Sequence, residues 1–176
     1  MSRIFGNLIQ IGYVVVDIEA AMHHWAEELG VGPWFYIEHL SVPDFMYMGK
    51  PSSVDLSLAM ANSGAMQIEL IQQNNQASSM YLDFLENAPE GVQHLGYGTY
   101  DFAAALKEAR AAGYIVAQQG TGGSRGPFAY LDTEDHVGTV VELIDLAHGR
   151  KELFAGIAAA ARGWDGKDPI RTKLPI

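Results

Sequence analysis

Cysteine is absent from this 176-residue chain, which excludes disulfides, thiolate metal sites and cysteine nucleophiles; any bound metal must be held by His, Gln, Asp or Glu. Positive charge is scarce, with 11 Lys and Arg against 21 Asp and Glu and a net charge of −10. Phosphate binding needs clustered cations, so nucleic acid is not an expected partner, and small ligands or proteins are. Long apolar runs are also missing. None approaches the ~18 residues that a membrane span needs, and no basic segment followed by an apolar one opens the sequence, so the expected location is cytoplasmic. What is present is 48% hydrophobic against 18% charged residues, enough for one compact domain with a sizeable core over residues 1–176.

The chain repeats itself. Gln10-Ile11-Gly12-Tyr13 aligns with His94-Leu95-Gly96-Tyr97, and at the same offset Asp17 falls on Asp101 and Ala20-Ala21 on Ala104-Ala105. Each copy reads as an apolar strand, an Asp in N-cap position and an amphipathic helix, Ile18 to Leu29 and then Phe102 to Ala112. Gly30 and Gly113 stop these helices at matching places. Three strand signals follow each helix: Trp34–Leu40, Val54–Ala61 and Met66–Gln72, then Ile115–Gln118, Phe128–Asp132 and Thr139–Leu146. Asn62-Ser63-Gly64 provides a hairpin turn. The last strands also align, Ile68-Glu69-Leu70-Ile71 over Val141-Glu142-Leu143-Ile144, at a shorter offset that implies shorter loops in the second copy. The expected fold class is therefore α+β, with two tandem βαβββ modules at 8–72 and 92–146 forming a concave, partly open barrel around a shared cavity. A short helical linker occupies 73–91, and a C-terminal helix from Glu152 to Trp164 with an extended tail fills 147–176.

Strand alternation assigns faces. Ile11, Tyr13, Ile68, Leu70, Leu95 and Tyr97 belong under the helices, whereas Gln10, Gly12, Glu69, His94, Gly96 and Gly98 belong on the concave side. Glycines beside polar groups on apolar strands leave space for a cavity. Gln10 and His94, Glu69 and Glu142 thus form two pseudo-equivalent pairs around one centre. An uncompensated carboxylate such as Glu142 between Val141 and Leu143 is costly to bury, and a cation is the economical explanation. One amide, one imidazole and two carboxylates suit Mn²⁺, Fe²⁺, Co²⁺, Ni²⁺ or Zn²⁺ better than Ca²⁺.

Paired βαβββ units with a ligand on the first and last strand of each resemble the vicinal oxygen chelate superfamily, which includes glyoxalase I, methylmalonyl-CoA epimerase, extradiol dioxygenases and the fosfomycin and bleomycin resistance proteins. The resemblance runs from Leu8 to Leu146 and rests on Gln10-Ile11-Gly12 before Asp17, Ile68-Glu69-Leu70, Gln93-His94-Leu95-Gly96, and His136-Val137-Gly138-Thr139 leading into Val141-Glu142-Leu143. It implies a divalent metal on Gln10, Glu69, His94 and Glu142, although relatives usually carry His where this chain has Gln10. It further implies a metal-dependent isomerase or lyase of the glyoxalase I or epimerase type, in which Glu142 or Glu69 moves a proton next to a carbonyl. Two other readings stand beside it: a metal-free binding protein for an apolar or aromatic compound, and an extradiol-type dioxygenase. A homodimer is expected, since relatives often dimerise.

The other candidates are weaker. His23, His24, His39 and His148 read as surface residues, His136 as a turn residue, and Asp55 as an edge-strand carboxylate. Gly122-Gly123-Ser124-Arg125-Gly126 lacks a phosphate loop's context and reads as a hairpin whose Arg125 reaches toward an anionic substrate group. Phe45-Met46-Tyr47-Met48, between two prolines, reads as a lid over a partly apolar small-molecule substrate.

Overall fold

The computed structural model describes residues 1–133 and 140–175. The first module runs β1 (Leu8–Val14), α1 (Ile18–Glu27), β2 (Trp34–Ser41), a small hairpin of β3 (Met46–Tyr47) and β4 (Lys50–Pro51), then β5 (Asp55–Ser63) and β6 (Met66–Gln73). Helix α2 (Met80–Asn87) links it to β7 (Gly91–Thr99), α3 (Phe102–Ala111), β8 (Ile115–Thr121), β9 (Pro127–Asp132) and β10 (Val140–Asp145). Helix α4 (Arg150–Ala161) and the short β11 (Ile170–Arg171) complete the order. The expected N-caps form: Asp17 accepts from the Ala20 N–H at 2.9 Å and Asp101 from the Ala104 N–H at 3.0 Å. The expected turn at His136 and the start of the last strand at Thr139 lie outside the described residues.

The eleven strands among the described residues belong to one curled, unclosed sheet in the order β11-β2-β5-β6-β1-β7-β10-β9-β8-β3-β4. Its centre is the antiparallel pair β1 and β7, flanked on each side by a parallel partner, β6 beside β1 and β10 beside β7. The two halves match residue for residue there. Gly12 is level with Glu69 in the first, and Gly96 is level with Glu142 in the second. The helices cover the convex side: Ile18, Met22 and Ala26 of α1 bury Ile68 and Leu70, while Ala109 of α3 packs with Leu131 and Leu143. Burial of alternate residues on β6 and β10 against helices leaves the intervening Glu69, Ile71, Glu142 and Ile144 on the concave side, where they line a cavity.

Two segments differ from the sequence expectation. The stretch expected as a lid is an edge hairpin: β3 pairs antiparallel with β8 of the other module, Met46 level with Gln119. Phe45 is buried with Ala117, Tyr130 and Val140, and the Tyr47 hydroxyl donates to Asp83 of α2. The free edge of β8 and core contacts thus account for Phe45 and Tyr47, whereas Met48 stays exposed. The C-terminal helix starts and ends earlier than expected, and it packs inside the curl. Leu153 and Ile157 of α4 are buried against Phe35 and Met60, and Leu153, Phe154 and Leu174 line the cavity.

Candidate metal centre and cavity

The register of β1 and β7 brings the predicted residues together. Gln10 faces Gly96 and Gly12 faces His94, so each glycine lies beneath the polar side chain of the opposite strand. A methyl group on Gly12 would overlap the His94 imidazole outright, and one on Gly96 would come within 2.9 Å of Gln10 Oε1. The glycines noted in the sequence are therefore seats for the two side chains. On the flanking parallel strands, Glu69 Oε2 and Glu142 Oε2 each lie 3.4 Å from His94 Nε2. One ligand atom from each of Glu69, His94 and Glu142 falls within 4.8 Å of the others.

Neighbouring amides orient these groups. His94 is fully buried, and its Nδ1 donates to Gln93 Oε1 at 2.8 Å, which directs the Nε2 lone pair toward the carboxylates. Gln10 Nε2 donates to Gln67 Oε1 at 2.8 Å, leaving the amide oxygen as the free end. Gln10 Oε1, His94 Nε2 and Glu142 Oε2 are buried with no hydrogen-bond partner among the described residues. A lone pair and two carboxylates at such distances repel unless a positive charge lies between them. A proton on His94 or a cation meets that need, so the buried Glu69, His94 and Glu142 group could hold a metal, with Gln10 Oε1 as a candidate fourth donor.

The electrostatics follow from burial. Desolvation depresses the His94 imidazolium, but the neighbouring Glu69 and Glu142 carboxylates outweigh that and raise its pKa above the ordinary value. Desolvation raises the Glu142 carboxyl from an ordinary 4.5 to about 7, against the attraction of His94 and with the charge of Glu69 reinforcing the rise. Tyr81 and Tyr130 are pushed well above 10, chiefly by burial, and remain neutral donors. The Tyr81 hydroxyl donates to the Tyr130 oxygen at 3.1 Å, and the Tyr130 ring meets His94 edge-on at a centroid distance of 5.0 Å.

Gln10, Glu69, Glu142 and Tyr130 form one wall of a cavity of about 140 Å³, whose other walls are mainly apolar and include Leu56, Leu58, Phe128 and Phe154. Sequence reasoning missed Gln67, Tyr81, Tyr130 and Arg150. Tyr130 was available by alternation with Phe128 on β9, but Tyr81 and Arg150 arrive from helices outside the repeat, where no strand period marks them. The other described histidines stay outside this centre. His23 pairs with Glu27, His39 with Asp55, and His148 with Asp145, the histidine being exposed in each pair.

Residues 9–130 match the family model of the Glyoxalase/Bleomycin resistance protein/Dioxygenase superfamily. The chain belongs to this superfamily. Its vicinal oxygen chelate fold is similar to that of methylmalonyl-CoA epimerase from Mycobacterium tuberculosis, with a TM-score of 0.62 and 20% identity, covering 86% of this chain and 96% of that one. A methylmalonyl-CoA epimerase solved with methylmalonyl-CoA and NH4+ gives a TM-score of 0.56 at 20% identity, with 81% and 96% covered. A hypothetical protein from Bacillus halodurans C-125 gives 0.52 at 19% identity, with 79% and 93% covered. No curated protein sequence matches. Among the described residues of this superfamily member, no helix is long and apolar enough to cross a membrane.

Proposed function

We propose that this chain is a metal-dependent isomerase or lyase of the epimerase type, which moves a proton on a carbon next to a carbonyl. The observation that carries this reading is the convergence of Glu69 and Glu142, from equivalent strands of the two modules, on one buried imidazole nitrogen at 3.4 Å each. Gln10, Glu69, His94 and Glu142 would hold the divalent ion. When bound, such an ion supplies Lewis-acid stabilisation of the negative charge that develops on the substrate oxygen.

The chain's own groups supply the rest. Glu142 is the carboxylate placed to take and return a proton, and burial pushes its carboxyl up to about 7 when no metal is bound. Glu69 provides a second carboxylate across the same imidazole, so one can hold charge while the other carries the proton. The Gln93 and Gln67 amides fix the orientation of His94 and Gln10. Apolar walls keep bulk water from the carbanion's carbon, and neutral Tyr130 beside Glu142 steadies its carboxylate by hydrogen bonding.

Calorimetry of chelator-stripped protein with Mn²⁺, Co²⁺, Ni²⁺ and Zn²⁺ tests the metal. Binding weaker than millimolar for all four would sink the reading. Metal-dependent exchange of the α-proton of small 2-oxo and thioester compounds into deuterated water, followed by NMR and lost in Glu142→Gln, tests the chemistry. The apolar cavity favours a second reading, a metal-free binder of a small apolar or aromatic compound; it predicts uptake of such compounds with chelator present and no exchange.

A further inference from the structure

Away from the carboxylates, the cavity wall carries positive charge that the proposed chemistry does not use. Arg150, the first residue of α4, is only 8% exposed, and its side chain borders the cavity together with Arg125. Its Nη1 donates to the Pro127 oxygen at 3.0 Å and the Asp145 backbone oxygen at 3.3 Å, and its Nη2 to the Gly126 oxygen at 3.0 Å. These bonds are all to neutral carbonyls. They fix the guanidinium in place and leave its charge uncompensated at contact distance: no carboxylate among the described residues lies within ion-pair distance of Arg150 or Arg125. The adjacent Asp145 carboxylate is committed elsewhere, with Oδ1 accepting from the Ala147 N–H at 2.9 Å and Oδ2 2.7 Å from His148 Nδ1. Burial works against the Arg150 charge, and Arg125 adds to that, whereas Glu142, Glu69 and Asp145 favour the charge from beyond ion-pair distance. That attraction at a distance offsets only part of the cost of burying Arg150, and an anion in contact with both arginines would offset more of it.

Room has been left for the arrangement. A methyl on Gly122 would meet Arg150 Nη2 at 2.5 Å, so the loop approaches the guanidinium as closely as only glycine permits. The three carbonyl bonds occupy three of the five N–H groups of an arginine, leaving donors for a planar, bidentate partner. Size narrows the partner. A cavity of about 140 Å³ compares with the roughly 150 Å³ engineered cavity that holds one benzene molecule.

We propose that Arg150 and Arg125 form an anion subsite that receives the carboxylate of a small, apolar-bodied carbonyl compound, about the size of one aromatic ring, whose carbonyl end lies at Glu69 and Glu142. The carbonyl end of this description rests on the function proposed above, while the carboxylate end does not. The substrate is thereby oriented by its two ends: anion on the arginines, carbonyl at the carboxylate pole, apolar body between. Lys would not serve equally, because it offers a point charge rather than a fork.

The test uses benzoate and its neutral near-isostere benzamide, titrated by NMR into the full chain with chelator present, so that no metal can capture the carboxylate instead. Benzoate is expected to bind at least tenfold more tightly than benzamide, with the ratio falling toward one in Arg150→Gln and several-fold in Arg125→Gln. Equal binding of the two probes, or a ratio unchanged in Arg125→Gln, would overturn the subsite. Should Arg150→Gln fail to fold for want of its carbonyl bonds, Arg125→Gln and the loss of benzoate preference at high salt carry the test. Inorganic phosphate competing as well as benzoate would overturn the carboxylate assignment. Because metal is absent throughout, benzoate preference in a chain that binds no metal would leave this inference standing while the proposed function falls.

Discussion

The two modules build one centre with unequal parts. Their outer contributions are matched: Glu69 and Glu142 occupy equivalent positions on β6 and β10 and lie at equal distances from His94 Nε2. Their inner contributions are not, since β7 supplies an imidazole and β1 an amide. Each inner group is seated over a glycine of the opposite strand and steered by a glutamine, Gln93 for His94 and Gln67 for Gln10. The scaffold thus treats both positions alike while the chemistry of the two side chains differs. The repeat thus preserves geometry more readily than residue identity.

Breaking the seats should have the largest effect. Gly12→Ala drives a methyl into the His94 ring, which rigid core packing cannot accommodate, and is expected to destabilise the fold by about 3 kcal/mol. Gly96→Ala meets the ends of the more flexible Gln10 and Ile144 side chains and should cost about 1 kcal/mol. Urea unfolding of both variants measures the difference, and equal losses would mean that the two halves are packed more alike than the seats indicate.

Stability against pH probes the matched carboxylates. The Glu142 carboxyl is raised from 4.5 to about 7 in the fold and His94 is raised from 6.5, so both favour the protonated form in the metal-free native state. That stability is present below pH 4.5 for Glu142 and is lost as pH rises through 7, on the order of 3 kcal/mol, with His94 adding in the same direction above 6.5. Thermal unfolding with chelator at pH 5 and pH 8 should show a clear fall. Glu142→Gln should flatten it, and a divalent ion should restore most of the loss at pH 8. A rise in stability over that range would contradict the burial argument.

Smaller effects separate the ligands. Glu142→Gln and Glu69→Gln should each weaken metal binding by about 100-fold, or ~2.7 kcal/mol. Calorimetry that finds only one of them necessary would show that the matched pair is matched in position alone. Gln10→His makes the inner positions alike and should tighten Ni²⁺ and Zn²⁺ by about tenfold, ~1.4 kcal/mol, while changing Mn²⁺ less. Uniform tightening of all three would argue that Gln10 is no ligand.

Much of this architecture was legible because strand period and repeat reinforce each other. Alternation on β6 placed Ile68 and Leu70 under a helix and Glu69 opposite them, and repeat equivalence then joined Glu142 to Glu69 and Gln10 to His94. What escaped was long-range and aperiodic. The Phe45–Tyr47 stretch carried the composition of a lid, yet the deciding fact was the free edge of β8 some seventy residues later in sequence, which only the folded sheet presents. Arg150 was invisible for a related reason. A buried arginine held by three carbonyls leaves no pattern in its own neighbourhood, and α4 is amphipathic toward the interior of the curl rather than toward the sheet's outer face.

The docking of α4 inside that curl also sets an order of events. All four residues of the proposed centre precede it in the chain, so during synthesis their strands emerge first and can pair around an open trough. Leu153, Phe154 and Leu174 arrive afterwards, the last of them just beyond β11, whose pairing with β2 pins the returning segment. An ion taken up by the proposed centre would then meet its ligands in water, with dryness imposed only when the final helix settles.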